Sequence, residues 1–481
     1  MDDNYYQSKK FAGLLKTYEE AIRDHQPLYM EADDLTDIAD YYQQRGEFQK
    51  AQEAVDYALS LFPNAVAPLA FKARVAALIH GDEKEAWSYL DRIADKTDLD
   101  YYYAVAEVML ANKRAQEANQ YLEEKYPLID DEDVEDYVLD VALLFCDYQQ
   151  MDYAQQWLDR SHSTEEPDYQ EVEARIAMDH GDLKESGKLF NRLLDRNPFN
   201  VSYWNYLATV QYLQNDPKAS IESCDYSLAI NPNDPNAQLY KANGLYMLGN
   251  YEDALRLYQQ LFRKDAENET AEFNIALTLI NLNRPQEALP HLEHLYKVRC
   301  FHNSEHFDAV CNQLVFINAY LKRYDESFQY LKAMENLPGA DMNSIYIMRG
   351  HVYLLMEEPK QAVEWFSKAL SDPQANFQVC LSITDAYYDA GFVEMAYNFL
   401  LPHTALIPDE EIGNGWILLA LCARELGKFE EYLNFLKKSC LYAPIPTRLM
   451  LHDYFPEGMD TKDYYQYALS HPEELNNNKT S

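Results

Sequence analysis

A 34-residue period between positions 167 and 302 most constrains how this chain can fold. Four blocks of that length follow one another without a gap, and block 201–234 shows the pattern most clearly. It carries Trp204, Leu207, Ala208, Ser220 and Pro232 at places 4, 7, 8, 20 and 32. The two blocks that follow repeat the small residues at places 8 and 20, with Ala242, Ala254, Ala276 and Ala288. Small residues at a fixed period mark close helix crossings, so each block predicts a helix, a tight turn and a second helix.

The period continues in both directions from this stretch. On the N-terminal side, block 32–65 is complete, whereas the blocks near 67–98, 99–132 and 135–166 keep their small residues but drift in length. On the C-terminal side, further blocks lie near 308–341, 343–376, 377–410 and 413–446, which makes twelve units. In the block near 308, we expect Phe316 at the crossing place that small residues occupy elsewhere.

The same pattern divides the chain into segments. We predict an N-terminal capping helix over 1–31, because apolar residues recur there at helical spacing before Pro27. Four repeats over 32–166, three of them degenerate, precede four regular repeats over 167–302, and four more over 303–446 follow a short insertion. Two helices at 447–454 and 461–470 are expected to form a C-terminal cap over 447–471, and the polar stretch 472–481 is expected to be disordered.

Composition excludes several classes of function. With 80 acidic and 41 basic residues, the net charge of −39 disfavours nucleic acid and anionic lipid as partners. No stretch reaches the ~18 apolar residues that a membrane span requires, so no membrane insertion is expected. The 7 cysteines are scattered, without a C-x-x-C pair, which is typical of reduced thiols in a cytoplasmic protein. Period-two alternation is missing, which favours an all-α fold.

The spacing of Trp204, Leu207, Ala208 and Pro232 resembles the tetratricopeptide repeat. The resemblance covers residues 32–446 and implies a right-handed α-solenoid of stacked helix-turn-helix repeats. It further implies that the first helix of each repeat lines an inner groove through places 2, 5, 9 and 12. We therefore expect a partner-binding groove formed by Asn205, Thr209, Tyr212, Leu239, Asn243, Tyr246, Phe273 and Leu277.

Some relatives hold a C-terminal carboxylate with lysine, arginine and asparagine spread over three repeats. Asn243 and Asn274 fall at two of the asparagine places, but Leu239 and Gln313 stand where the cations belong. A carboxylate would be poorly neutralised there, so the sequence argues against that activity.

One motif favours an enzyme instead. His302, Glu305 and His306 spell H-x-x-E-H, a zinc-hydrolase signature when these side chains share a buried helix face. His291, His294, Cys300 and Cys311 could add ligands. The motif lies in the insertion between two repeats, which favours a polar connection, so the sequence predicts no catalytic residue, cofactor or metal.

We therefore predict a non-enzymatic scaffold or adaptor that binds an extended peptide or helix of a partner protein in its groove. The net charge of −39 favours a neutral or basic partner, and a monomer or weak homo-oligomer is expected. Two alternatives stay open: a self-assembling protein that uses its end repeats, and a zinc-dependent hydrolase at His302, Glu305 and His306.

Overall fold

The structure is a computed structural model, and helices are the regular secondary structure of the residues that it describes. The described residues are 3–6, 8–24, 26–266, 268–298, 307–337, 339–372, 376–405, 407–456 and 458–472. Within them the chain forms helices joined by short turns, and no strand occurs. The predicted all-α solenoid of stacked helix pairs is confirmed.

The chain divides into two compact units, Met1–Ala271 and Glu272–Ser481. Unit 1 contains α1 (Asp3–Tyr6), α2 (Lys9–Arg23), α3 (Ala32–Gln44), α4 (Phe48–Leu61), α5 (Val66–Leu78), α6 (Glu83–Leu90), α7 (Leu99–Ala111), α8 (Ala115–Lys125), a 3-10 turn (Tyr126–Leu128), α9 (Val134–Asp147), α10 (Met151–Leu158), α11 (Pro167–Asp179), α12 (Leu183–Arg196), α13 (Val201–Leu213), α14 (Pro217–Ile230), α15 (Pro235–Met247) and α16 (Tyr251–Lys264).

The division falls within α17 (Glu269–Asn281). Unit 2 continues with α18 (Pro285–Lys297), α19 (Phe307–Tyr320), α20 (Tyr324–Glu335), α21 (Met342–Leu355), α22 (Pro359–Leu370), α23 (Phe377–Asp389), α24 (Val393–Thr404), α25 (Asp409–Ile412), α26 (Gly415–Glu425), α27 (Phe429–Tyr442), α28 (Pro444–Leu451), a 3-10 turn (His452–Tyr454) and α29 (Thr461–Ser470). Helices α3 to α24 follow one another as pairs, and α26 with α27 forms a further pair.

The turn inside each pair depends on the residue at place 15, which has a left-handed backbone. In eleven of the twelve described pairs the backbone N–H at place 16 donates a hydrogen bond to the carbonyl at place 11, as Asp216 N does to Gln211 O at 2.9 Å; in the Gly81 turn, Asp82 N donates to Ala76 O. This geometry closes the first helix and satisfies its end carbonyls. A positive φ occurs at this place throughout the twelve described pairs, in Gly46, Gly81, Lys113, Gln149, Gly181, Asn215, Gly249, Asn283, Lys322, Glu357, Gly391 and Gly427. The degenerate blocks therefore keep the turn even where their spacing drifts.

Small residues at places 8 and 20 allow the two helices of a pair to cross closely. Ala208 and Ser220 are fully buried, and Ser220 Oγ donates to Ala208 O at 2.9 Å. Ser327 Oγ makes the same contact with Val315 O at 2.6 Å, which places Val315 at the crossing. The expectation for Phe316 was wrong, because this residue is one place further and its ring lies 5.1 Å from that of His351.

The two ends differ from the sequence expectation in detail. The N-terminal stretch forms α1 and α2 rather than one helix, and Ser8 Oγ caps α2 by accepting from Phe11 N at 3.0 Å. At the other end α28 begins at Pro444, before the predicted start at residue 447, because proline is well suited to the first turn of a helix. The predicted bounds of α29 are confirmed. Most of the predicted disordered tail, residues 473–481, lies outside the described residues.

Candidate functional site

The first helices of the pairs in unit 1 face a groove of about 990 Å³. Six of them, α3, α5, α7, α9, α11 and α13, contribute to its wall, and many of the lining residues lie at places 2, 5 and 9 of their blocks. Carboxylates dominate the lining: Asp33, Asp37, Asp40, Asp100, Glu107, Asp140, Asp147, Asp168 and Glu171. We call this surface the acidic groove.

Arginines compensate only part of this charge. The buried Arg175 lies 2.8 Å from Asp147 and 3.4 Å from Glu171, and its guanidinium stacks on the ring of Tyr206 at 5.1 Å. Arg74 forms an ion pair with Asp40. Arg196 lies at the edge of the groove and reaches Glu165. Carboxylates therefore outnumber cations along the wall.

The pKa values of two lining carboxyls reflect this imbalance. Burial, together with repulsion from Asp147, Asp40 and Asp100, raises the pKa of Glu107 to about 7, although Arg74 opposes the shift. Burial likewise raises the pKa of Asp140 to about 6, against the hydrogen bond that Tyr103 OH donates to Asp140 Oδ2 at 3.0 Å. Both carboxyls are ionised less readily than usual, and a cation placed beside them would favour their ionised form.

This groove carried a signal in the sequence that the prediction did not use. The predicted binding residues come only from the three blocks over 201–302, yet Asp33, Asp100 and Asp168 all fall at place 2 of blocks that precede residue 201. Asp40 and Glu107 both fall at place 9. Recurrent acidic residues at inner places would have indicated the acidic groove directly.

The eight residues predicted to bind a partner are half-buried and lie on three helices. Asn205, Thr209 and Tyr212 are on α13, whereas Leu239, Asn243 and Tyr246 are on α15. Phe273 and Leu277 are on α17, in unit 2. Among the described residues, none of the eight lines the acidic groove, which ends at Tyr203. Partner binding by these residues stays a prediction.

Several of the eight make contacts within the repeat frame. Asn205 Nδ2 donates to Asp234 Oδ1 at 3.2 Å, and Asp234 caps α15 by accepting from Ala237 N at 2.7 Å. Asn243 Oδ1 accepts from Tyr258 OH at 2.6 Å, and the ring of Tyr246 packs edge-on against that of Tyr251 at 5.3 Å. These contacts join neighbouring helices.

Thr209 Oγ1 donates to Asn205 O on its own helix at 2.9 Å. By contrast, Asn205 Oδ1 is buried and accepts no hydrogen bond from any residue whose placement is described. An unpaired buried acceptor is costly, so a donor from a ligand would find a partner there.

Unit 2 contains a second groove, of about 810 Å³, between α19, α21 and α23. Amide and hydroxyl side chains are common in its wall, and apolar side chains lie between them: Asn312, Asn343, Ser344, Asn376, Gln378 and Ser382, with Phe316, Ile347, Met348 and Val379. We call it the amide groove. Asn343 Nδ2 donates to Asp372 Oδ2 at 2.8 Å. Asn312 Oδ1 is buried without a hydrogen-bond partner in the described part of the chain.

Three carboxylates line the amide groove, Asp341, Asp385 and Asp389, and two neighbouring side chains contact Asp389. His351 Nε2 lies 3.0 Å from Asp389 Oδ2, and Tyr320 OH donates to the same oxygen at 3.1 Å. The bond to His351 lowers the pKa of Asp389. Burial raises the pKa of Asp385 to about 6, with a further contribution from Asp389. One carboxyl of this pair is thus held ionised, and the other is open to the groove.

The metal-binding alternative receives no geometric support from the described residues. His302, Glu305 and His306, and also Cys300, lie outside them. No group of three or more His, Cys, Asp and Glu in the described ranges is arranged to hold a metal ion. His291 Nδ1 and His294 Nδ1 lie 3.2 and 2.7 Å from the two carboxylate oxygens of the buried Glu272.

The thiol of Cys311 is buried, which raises its pKa to about 12, so it is protonated at neutral pH. None of the described helices combines the length and the apolar character needed to cross a membrane.

Comparison with known sequences gives two tetratricopeptide repeat matches. One repeat model matches residues 172–235 and 241–297, and a second matches residues 344–371. A TPR repeat-containing protein of Methanocaldococcus jannaschii, MJ1428, is 22% identical over 356 residues, or 67% of this chain. The mouse protein O-mannosyl-transferase TMTC3 is 28% identical over 174 residues, or 34% of this chain.

The chain spans 61% of the length of the archaeal relative and 19% of that of the mouse protein. Among solved structures, human IFIT1 with PPP-AAAA aligns over 86% of this chain and 95% of its own, with 15% identity and a TM-score of 0.47.

Proposed function

Because the chain is a tetratricopeptide repeat protein, we propose that it is a non-enzymatic scaffold or adaptor that binds a partner protein. The acidic groove of unit 1 holds an extended segment of that partner, and the segment is rich in lysine or arginine. The partner's cations lie beside the carboxylates that α3, α7, α9 and α11 present to the groove. The repeat frame determines the shape of the groove, and the charge of the lining residues determines which peptides it selects.

The observation that carries this proposal is the excess of carboxylates over arginines in a groove of about 990 Å³. Glu107 is central to it, since burial raises its pKa to about 7 and the attraction of Arg74 offsets only part of that shift. A lysine ammonium or arginine guanidinium bound there would favour the ionised carboxylate. Charge-assisted hydrogen bonds of this kind are about twice as strong as neutral ones.

The direct test is peptide binding by fluorescence anisotropy with the full chain. One labelled peptide of about 15 residues carries lysine at every third position, and its matched partner carries glutamate there. We expect the lysine peptide to bind and the glutamate peptide not to bind. Binding should weaken about tenfold or more when salt rises from about 50 to about 300 mM, because the attraction between the charges is screened.

Two pairs of variants test whether the lysine peptide binds in the acidic groove. Glu107→Gln with Asp140→Asn removes two groove charges, whereas Glu222→Gln with Asp91→Asn removes two exposed charges from outside the groove. We expect the first pair to weaken the lysine peptide about tenfold and the second to change affinity less than about twofold. Equal affinity for both peptides, or equal effects of both pairs, would refute the proposal.

The predicted residues on α13 and α15 in unit 1, and those on α17 in unit 2, are further candidate contacts. We propose that Asn205, Thr209, Tyr212, Leu239, Asn243, Tyr246, Phe273 and Leu277 contact the partner's apolar and amide groups. The buried, unpaired Asn205 Oδ1 favours this proposal. The test is Leu239→Ala with Phe273→Ala, because Asn243 also holds Tyr258 and its loss would affect folding. Unchanged capture of a purified partner would exclude these contacts.

The proposal places the scaffold in the cytoplasm. Cys146, Cys224 and Cys422 are buried thiols, and burial raises the pKa of each to about 12. These side chains serve packing in the reduced form. Fractionation of the native cell, with the chain detected by antibody, tests the location.

A further inference from the structure

The C-terminal end of unit 2 carries a concentration of exposed apolar side chains. Leu441 and Tyr442 end α27, and Ile445, Leu449 and Met450 follow on α28. Leu441, Ile445 and Leu449 are 67%, 63% and 61% exposed, although each is aliphatic. We call these five residues the terminal apolar face. The spacing from 445 to 449 is one helical turn, so these two side chains share a side of α28.

This exposure is not required by the packing of α28 on its own unit. Thr447 and Leu451 lie on the opposite side of the helix and are buried. Helix α28 contacts α27 and α29. The end of a solenoid needs a polar outer side to remain soluble. An apolar outer side at this position therefore indicates that it is covered by another surface.

The N-terminal end of unit 1 shows what a solvent-facing end of this chain looks like. There α2 buries Phe11 and Tyr18 and exposes Lys9, Lys10 and Lys16. Ile22 is the one large apolar side chain of α2 that is substantially exposed. The outer side of α2 is thus polar, whereas that of α28 is apolar.

We propose that the terminal apolar face is the contact of a two-fold dimer of this chain. This inference is independent of the proposed peptide function. A net charge of −39 opposes the approach of two copies over most of their surface. Residues 432–452 contain Lys437, Lys438 and Arg448 and no aspartate or glutamate, so copies that meet here avoid that repulsion.

The charges at the edge of the face also suit pairing with itself. Lys438 is already held by Asp409 at 2.9 Å, whereas Arg448 is exposed beside Leu449. Asp453 follows α28 and is highly exposed, and its Oδ1 lies 3.1 Å from Nε2 of the exposed His452. In an antiparallel two-fold contact centred near Leu449 and Met450, Arg448 of each copy lies close to Asp453 of the other. Identical surfaces related by a two-fold axis are the usual arrangement of a homodimer.

The size of the face sets the expected strength. A standard interface buries ~800 Å² per partner, and five partly exposed side chains cover less than that. The dimer is therefore weak, with a dissociation constant in the micromolar range. It forms and dissociates as the concentration of the chain changes.

Sedimentation velocity of the full chain from about 1 to about 200 μM tests this proposal. We expect the wild type to shift from monomer to dimer over that range. Ile445→Glu with Leu449→Glu should keep the chain monomeric. The matched control is Leu78→Glu with Ile79→Glu, which charges two exposed apolar residues of unit 1 and should leave dimerisation unchanged. Circular dichroism confirms that each variant is folded.

A second pair of variants tests the two-fold geometry. Arg448→Asp should weaken the dimer about tenfold, and adding Asp453→Arg should restore it. A wild type that stays monomeric at the highest concentration refutes the proposal and means that a different protein covers the face. Dimerisation of the Ile445→Glu, Leu449→Glu variant at wild-type strength refutes it as well, as does an Arg448→Asp variant of unchanged strength.

Discussion

The acidic groove of unit 1 and the amide groove of unit 2 are built on the same repeat frame but differ in the side chains that line them. In unit 1, carboxylates such as Asp100 and Glu107 recur at places 2 and 9 of the first helices. In unit 2, the corresponding helices present Ser344 at place 2 and His351 at place 9 of their block. Arginine compensates few of the charges in the first groove, whereas His351 and Tyr320 hold the central Asp389 of the second.

This difference separates what the frame requires from what it leaves open. Places 8, 15 and 20 are constrained in both units, because the helices must cross and turn there. Places 2, 5 and 9 face the groove and are free to vary. Regularity in the sequence therefore indicates architecture, whereas variation at the inner places indicates which ligand each groove accepts.

Reversing charge in the two grooves should give the largest contrast. Asp100→Lys, Glu107→Lys and Asp140→Lys together place three cations in the acidic groove. We expect binding of the lysine peptide to fall about 100-fold or more, since like charges at an interface cost several kcal/mol. Fluorescence anisotropy measures the affinity.

The matched control introduces three lysines into the amide groove, at Ser344, Gln378 and Ser382. We expect it to change affinity for the lysine peptide less than about threefold. A similar loss in both triple variants would mean that the peptide does not distinguish the grooves.

An alanine at a crossing place should have the next largest effect. A Cβ at Gly350 would lie 2.3 Å from Phe366 Cε1, so Gly350→Ala forces the ring to move. We expect a loss of about 1–3 kcal/mol in the unfolding free energy, as for other overpacked cores. Urea unfolding followed by circular dichroism measures it.

Gly187→Ala is the matched substitution in unit 1. Its Cβ would meet Val210 Cγ1 at 3.5 Å, an ordinary contact in the interior of α12. We expect a gain of about 0.5–1 kcal/mol from the lower entropy of the unfolded chain. If both substitutions destabilised equally, close crossing at Gly350 would not be the cause.

Much of the fold could be predicted because the frame repeats. The period of Ala208, Ala242 and Ala276 at place 8 predicts helix pairs without any tertiary information. Where the blocks vary in length, the spacing does not determine which residue occupies each place. The prediction placed Phe316 at the crossing, whereas Val315 occupies it. A one-residue shift moves a helical side chain by about 100°, from the crossing to the groove.

The candidate site was less predictable than the fold. The sequence indicated that inner places matter, but it did not show that Asp140 and Glu107 line one groove from different repeats. Their raised pKa values depend on burial and on several neighbouring charges, which only the assembled groove provides. Asn243 illustrates the converse, because its bond to Tyr258 OH gives it a structural contact that spacing could not reveal.

Acidification should weaken binding in the acidic groove by a moderate amount. The pKa of Glu107 is about 7 and that of Asp140 about 6, so both become protonated between pH 8 and pH 5. We expect affinity for the lysine peptide to fall about tenfold over this range, because each protonation removes a charge from the groove. Glu107→Gln should weaken binding at pH 8 and reduce the pH dependence.

The same shift has the opposite effect on stability. A carboxyl whose pKa is raised in the folded state contributes stability that is complete below its unfolded value and is lost as pH rises through about 7. Glu107→Gln should therefore stabilise unit 1 at pH 8 and have little effect at pH 4. Stabilisation that is greater at pH 4 than at pH 8 would contradict the assignment.

The smallest effect should appear at the turn, and it should be the same in both units. Lys113 in unit 1 and Glu357 in unit 2 have φ values of 60° and 62° at place 15. A left-handed backbone costs a residue with a side chain roughly 1–2 kcal/mol. Glycine avoids this cost but loses more backbone entropy on folding, so Lys113→Gly and Glu357→Gly should each gain only about 0.5 kcal/mol in unfolding free energy.

Urea unfolding measures the gain in stability at the two turns. Gly391→Ala is the control and should lose stability, since it puts a side chain on a left-handed backbone at place 15. Equal responses of the two turns, beside unequal responses of the two grooves to charge, would show that the frame is shared and the ligand preference is not. A gain in stability in one unit alone would mean instead that the two turns are not equivalent. The twelve positive φ values would then not be sufficient evidence that both units share the same constrained places.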